Sequence, residues 1–145
     1  MYKRQKLITG TNGEKMSKSK SNIIDIFVDD KTLRKQIMKI ETRSLSVEDP
    51  KNPEECNVFK LYEVIASKNE VELLKKQYTK GGIGYGEAKE LLFNKILNRF
   101  SENREKYFKL IEDRSKVEDL LSRGSKKARV QAQKVLKRVR TRIGF

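Results

Sequence analysis

Residues Glu87–Ile111 read EAKELLFNKILNRFSENREKYFKLI, and the fold turns on them. Leu91, Leu92, Ile96, Leu97, Phe100, Tyr107, Phe108 and Ile111 recur at the spacing of one face of an α-helix, not at the alternation of a strand. A face this broad predicts a long helix at the centre of a core, with Ser101 as the point where it can bend. Its aromatic residues then read as core rather than as a platform for stacked bases.

Just upstream, Gly81-Gly82-Ile83-Gly84-Tyr85-Gly86 stops one helical pattern and lets another start. Phosphate-binding glycine loops join a strand to a helix and space their glycines differently, so this run reads as a helix-hairpin turn. Before it, Glu70–Tyr78 predicts a helix with Val71, Leu74 and Tyr78 inward, and Glu54–Ser67 one with Val58, Leu61, Tyr62 and Ile65 inward. Ser44–Glu54 holds Pro50 and Pro53 and reads as a surface connection. A helix over Lys31–Thr42 buries Leu33, Ile37 and Ile40 behind Asp29 and Asp30, whose acidity suits a helix N-terminus. Downstream, Val117–Arg123 predicts a short helix ended by Gly124. Ser125 then caps a last helix to Ile143, with Ala128, Ala132, Val135, Val139 and Ile143 as its buried stripe. A short strand around Lys6–Ile8 is the one strand signal. Beyond residue 30 the expected class is all-α, a helical bundle.

The residue types that are missing constrain the chemistry. The 145 residues include no histidine and one cysteine. That removes the commonest general base and metal ligand, and with them the Ser-His-Asp and Cys-His hydrolases and a structural zinc site. No metal site is expected. Cys56 has no internal disulfide partner and reads as a small residue at a helix start. No apolar run nears the roughly 20 residues of a membrane span, and Tyr2–Lys6 opens no signal-peptide pattern. The expectation is a cytoplasmic protein with no membrane partner.

The net charge of +14 sits at the two ends. Residues 1–20 contribute +5 and residues 123–145 contribute +9, while the stretch between them is neutral. Two basic ends on a neutral body point to polyanion contacts at two places. On the last helix, Lys127, Gln131, Lys134, Arg138 and Arg142 form a polar stripe nearly free of apolar residues.

The N-terminal cluster is the more specific of the two. Lys15-Met16-Ser17-Lys18-Ser19 lies in a loop, Thr11–Asn22, rich in glycine, serine, asparagine and lysine. An ammonium group is a compact point charge with three rotatable donors, suited to phosphate oxygens, and hydroxyls and backbone N–H groups add weaker donors.

Lys15–Ser19 also spells KMSKS, a signature of class I aminoacyl-tRNA synthetases, and the helical continuation resembles the C-terminal part of the bacterial tryptophanyl-tRNA synthetase family. The resemblance rests on Leu33-Arg34-Lys35-Gln36-Ile37, Asn57-Val58-Phe59-Lys60-Leu61-Tyr62, Tyr85-Gly86-Glu87-Ala88-Lys89, Gly124-Ser125-Lys126-Lys127-Ala128-Arg129 and the ending Val139–Phe145. It implies that residues 1–30 are the KMSKS-containing end of a catalytic Rossmann-like domain, a remnant of the α/β nucleotide-binding domain. Residues 31–145 are then a helical anticodon-binding domain. It further implies ATP-dependent activation of tryptophan and its transfer to tRNA, with Mg²⁺ riding on ATP and a homodimer in the full-length enzyme. Lys15 and Lys18 would act catalytically on the β- and γ-phosphates. Met16, Ser17 and Ser19 would complete the ATP contact, and Gly10, Gly13 and Asn22 would supply turns and order the loop. Arg129, Lys134, Arg138 and Arg142 are the candidates for tRNA.

Two departures from the family stand out. Its second signature, the HIGH motif, contains a histidine and precedes KMSKS; it is missing here, so the chain alone is expected to be inactive. In Glu41-Thr42-Arg43-Ser44 an arginine stands where the family usually has aspartate. Two other readings compete: a stand-alone, non-catalytic basic RNA-binding module, and a fragment of a tyrosyl-type class I synthetase.

Overall fold

The structure, a computed structural model, describes residues 8–144. The expected strand at Lys6–Ile8 therefore lies mostly outside the described residues. Within them the only β pairing is an isolated antiparallel bridge between Thr9 and Lys15. Five α-helices follow: α1 Asp30–Met38, α2 Asn57–Ile65, α3 Lys68–Lys80, α4 Tyr85–Glu112 and α5 Arg114–Ile143. The chain divides into two compact units, one ending at Ser101 and the other starting at Glu102.

The first unit holds the core. Leu33, Ile37 and Ile40 meet Val58, Leu61 and Tyr62 from α2, Leu74 and Tyr78 from α3, and Ala88, Leu92 and Ile96 from α4. These are the faces the periodicity predicts. Ile83 is also buried, so the glycine turn carries its own apolar anchor.

Local hydrogen bonds move several helix ends from their expected places. Asp29 caps α1 by accepting from the Thr32 N–H at 2.9 Å. The helix stops at Met38 rather than Thr42 because the Glu41 N–H donates to the Thr11 carbonyl at 2.8 Å, which draws the backbone off the helical path. Pro53–Glu55 forms a separate 3₁₀ turn, and extended Cys56 delays α2 to Asn57. Cys56 is buried at that helix start, its Sγ 3.5 Å from the Tyr78 hydroxyl. Helix α3 begins earlier than expected, at Lys68, because a capping box between Ser67 and Glu70 places Glu70 in its first turn.

The connection between α1 and α2 is less superficial than its prolines suggest. Lys51 is only 2% exposed; its ammonium donates to the carbonyls of Ser46 (2.8 Å), Val47 (3.2 Å) and Asp49 (2.9 Å) and lies 5.5 Å from the centre of the Tyr85 ring. The Gly82 N–H bonds the Val47 carbonyl at 2.9 Å, so the glycine turn and this loop brace each other.

Two expectations about the C-terminal half fail. Helix α4 is continuous through Ser101, but Tyr107, Phe108 and Ile111 are 37%, 38% and 58% exposed, so only its first half is core. Leu91 likewise stays 38% exposed. The expected break at Gly124 does not occur: Asp113 caps a single helix by accepting from the Lys116 N–H at 3.1 Å, and α5 runs through Gly124 to Ile143. One glycine costs a helix about 1 kcal/mol, which flanking helix formers can absorb. None of the α5 side chains is buried, and Val135, Val139 and Ile143 of the expected stripe are 50%, 45% and 63% exposed. Periodicity identifies which face of a helix could be covered; it supplies no neighbour to cover it.

Candidate functional site

The Lys15–Ser19 segment leaves the paired base of a loop closed on itself by backbone bonds. Around the Thr9–Lys15 bridge, the Gly10 N–H donates to the Glu14 carbonyl at 2.7 Å and the Met16 N–H to the Ile8 carbonyl at 3.2 Å. Gly13 turns the chain at φ +77°, where an added Cβ would meet the Asn57 amide at 2.8 Å. Lys18–Lys20 then makes one 3₁₀ turn, ended by Ser21 in the left-handed region at φ 51°.

A second layer of side-chain bonds holds that backbone in shape. Asn22, 2% exposed, accepts from the Ser17 N–H at 2.8 Å and donates to the Lys15 carbonyl at 3.2 Å and to Asn12 Oδ1 at 2.7 Å. The Lys20 ammonium pairs with Glu14 at 2.7 Å and holds that carboxyl below its ordinary range. The Ser17 and Ser19 hydroxyls bond each other at 2.9 Å. Met16 packs against the core of the first unit. The composition reads as a flexible coil; the fold replaces missing helix and strand bonds with asparagine and serine side chains.

Within this frame Lys15 and Lys18 differ from Lys20. Both are exposed, and among the described residues neither ammonium has a hydrogen-bond or ion-pair partner. The loop thus offers two free cations, while Glu14, the carboxylate nearest in sequence, is occupied by Lys20. Such a donor set suits the oxygens of a polyphosphate.

A cavity of about 250 Å³ has Thr42, Arg43, Glu55, Asn57 and Tyr85 in its wall, of which Asn57 also faces Gly13 of the loop. Arg43, the residue that departs from the family pattern, pairs with Glu55 at 2.7 Å. Its positive charge therefore has a local partner. On the second unit, Arg129, Lys134, Arg138 and Arg142 are all exposed along α5 and have no partner among the described residues. Lys134, Arg138 and Arg142 share a shallow groove of about 440 Å³ with Lys137 and Thr141. No sequence signal singles out Lys51, whose neighbours along the chain are polar residues and prolines.

The family described as tRNA synthetases class I (W and Y) matches residues 1–101. The chain belongs to that family. Relatives it resembles over nearly its whole length are synthetases for tryptophan. It is 43% identical to the tryptophan–tRNA ligase of Campylobacter jejuni over 140 residues, which cover 96% of this chain and 44% of the relative. The corresponding ligase of Rhodopirellula baltica is 41% identical over 138 residues, covering 95% of this chain and 43% of the relative. A solved structure of tryptophanyl-tRNA synthetase from Campylobacter jejuni, complexed with ADP and tryptophan, superposes with a TM-score of 0.92 at 41% identity. That match covers 99% of this chain and 45% of the other. The chain therefore spans less than half the length of these class I relatives. The helical fold predicted from the sequence is the fold of this family segment. No helix among the described residues is long and apolar enough to cross a membrane.

Proposed function

We propose that this chain supplies the pyrophosphate-stabilising loop and the RNA-facing helices of an ATP-dependent tryptophan–tRNA ligase. The observation that carries the reading is the pair of free ammoniums, Lys15 and Lys18, on a loop whose other charges are already paired. Attack of the tryptophan carboxylate on the α-phosphorus of ATP forms the adenylate and releases pyrophosphate, on which negative charge builds as the bond breaks. Two preplaced cations that meet this charge without reorganising lower the barrier more than they lower the ground state. Lys15 and Lys18 are assigned to the β- and γ-phosphates and the Ser17 and Ser19 hydroxyls to support of the same oxygens. Met16, seated on the helical core, ties loop position to that core. Mg²⁺ would be held mainly by the phosphate oxygens.

In this reading residues 1–30 belong functionally to the catalytic domain and residues 31–145 form the domain that meets the anticodon region of tRNA. Arg129, Lys134, Arg138 and Arg142 contribute phosphate contacts, which give affinity rather than sequence choice. The full-length enzyme works as a homodimer in the cytoplasm, and this chain alone is inactive. The test is pyrophosphate exchange by the full-length gene product, with tryptophan set against tyrosine, for the wild type and Lys18→Ala. The expected result is tryptophan-dependent exchange that Lys18→Ala lowers about 100-fold or more with little change in tryptophan KM. A wild-type rate in the variant would overturn the assignment, and exchange with tyrosine instead would move the chain to the tyrosyl type.

A further inference from the structure

Asn22 lies outside the KMSKS letters, yet more of the loop's bonds meet on it than on any residue within them. It is 2% exposed, and both ends of its amide are used. The orientation of that amide is fixed by its partners: a backbone N–H, that of Ser17, needs an acceptor, and a carbonyl, that of Lys15, needs a donor. These two bonds grip the peptides on either side of Met16, so they set the direction in which the chain leaves Lys15 and enters Lys18. The remaining donor holds Asn12 at 2.7 Å, on the opposite arm of the loop. The Asn22 carbonyl accepts from the Thr11 N–H at 3.0 Å, and the Thr11 carbonyl in turn accepts from Glu41 beyond α1. Gly10 leaves room for all this: a Cβ there would lie 2.3 Å from the Asn22 carbonyl oxygen and 2.6 Å from its side-chain amide.

We propose that Asn22 is a positioning residue: its buried amide fixes where the Lys15 and Lys18 ammoniums stand, and so acts on the pyrophosphate through them. This rests on the phosphate reading of the two lysines. A side chain that merely stabilised the fold would affect the rate independently of Lys18, whereas one that works by placing Lys18 loses most of its effect once that ammonium is gone.

The experiment is a double-mutant cycle in pyrophosphate exchange by the full-length gene product, using wild type, Asn22→Ala, Lys18→Ala and the double variant, with Tm measured for each. Asn22→Ala is expected to lower turnover at least 10-fold at unchanged tryptophan KM. In the Lys18→Ala background the same change should cost less than about 3-fold. Asn22→Asp keeps the size and the acceptor for Ser17 but sets a carboxylate oxygen against the Lys15 and Asn12 oxygens. It should show at least the same loss, with every rate read at a temperature below the lowest Tm in the series so that unfolding does not account for it. Equal factors in the two backgrounds, or a wild-type rate for Asn22→Asp, would overturn the proposal while leaving the role of Lys18 intact. If Lys18→Ala itself runs at the wild-type rate, the phosphate reading fails and this inference falls with it.

Discussion

The ammonium of Lys95, on α4, donates to both carboxylate oxygens of Glu70, in the first turn of α3, each at 2.7 Å. The pair joins two helices of the core. The same carboxylate accepts from the Ser67 N–H at 2.8 Å in the α3 capping box. Lys95 and then Ser67 hold the Glu70 carboxyl at about 2, against an ordinary value of 4.5. A carboxyl depressed by folding adds stability that is present above its unfolded value and fades as the pH drops toward its folded one. Glu70→Gln, which keeps an acceptor for the cap, should therefore lower Tm at pH 7. The difference from wild type should close as the pH falls from about 4.5 to 2. Thermal unfolding followed by circular dichroism across that range checks it; an equal gap at both ends would rule out the charge as the cause.

Lys51 makes a sharper case, because its ammonium is buried. Replacing it by methionine keeps an apolar stem but removes the ammonium, and with it the donor to the Ser46, Val47 and Asp49 carbonyls and the charge 5.5 Å from the Tyr85 ring. Val47 retains a bond from the Gly82 N–H; among the described residues the Ser46 and Asp49 carbonyls have no comparable partner. Ser46, Val47 and Asp49 are themselves exposed, so water can meet part of the loss, and hydrogen bonds to a charged group are worth about 1.5–3 kcal/mol. Lys51→Met should lose about that much in urea unfolding, and a loss under 0.5 kcal/mol would show that water takes over the carbonyls.

Gly81 and Gly86 bracket the same turn and should respond in opposite ways. Gly81 sits at φ +82°, and an added Cβ would lie 2.0 Å from the Glu48 carbonyl oxygen, a backbone atom that cannot swing aside. Left-handed backbone alone costs a side chain about 1–2 kcal/mol, so Gly81→Ala should exceed 2 kcal/mol once the loop is displaced. Gly86 lies in the first turn of α4 with nothing within 4 Å of an added Cβ. Gly86→Ala should be neutral or slightly stabilising. Parallel urea curves for the two variants check the contrast.

What the sequence disclosed and what it withheld divide along physical lines. Leu92 and Ile96 are buried as periodicity requires, while Tyr107 and Ile111 continue the same pattern into solvent. An amphipathic repeat carries the same signal whether or not a neighbour covers it. The KMSKS letters located the two lysines, but not that Lys20 is paired and they are free, because pairing depends on where Glu14 is brought by the turn at Gly13. Lys51 was invisible for a related reason: its partners are carbonyls, which every residue has. Gly124 misled because glycine is read as a stop whenever a polar residue follows, although the helix on either side is rich in residues that favour continuation.

That last point can be measured. Gly124 lies inside α5, Arg114–Ile143, and an added Cβ there meets nothing within 4 Å. In a continuous helix, alanine removes the backbone entropy that glycine loses on folding and clashes with no neighbour. Gly124→Ala should then stabilise α5 by about 0.5–1 kcal/mol and raise its helical signal in far-ultraviolet circular dichroism during a thermal melt. If Gly124 instead ended one helix in a left-handed turn before Ser125 capped the next, the same alanine would cost about 1 kcal/mol, and the melt would shift the other way. The sign of a single substitution thus separates one basic helix of 30 residues from two shorter ones. Arg129, Lys134, Arg138 and Arg142 share one helix in either case; what the unbroken helix adds is Lys116 and Arg123, carried in the same rigid register as those four.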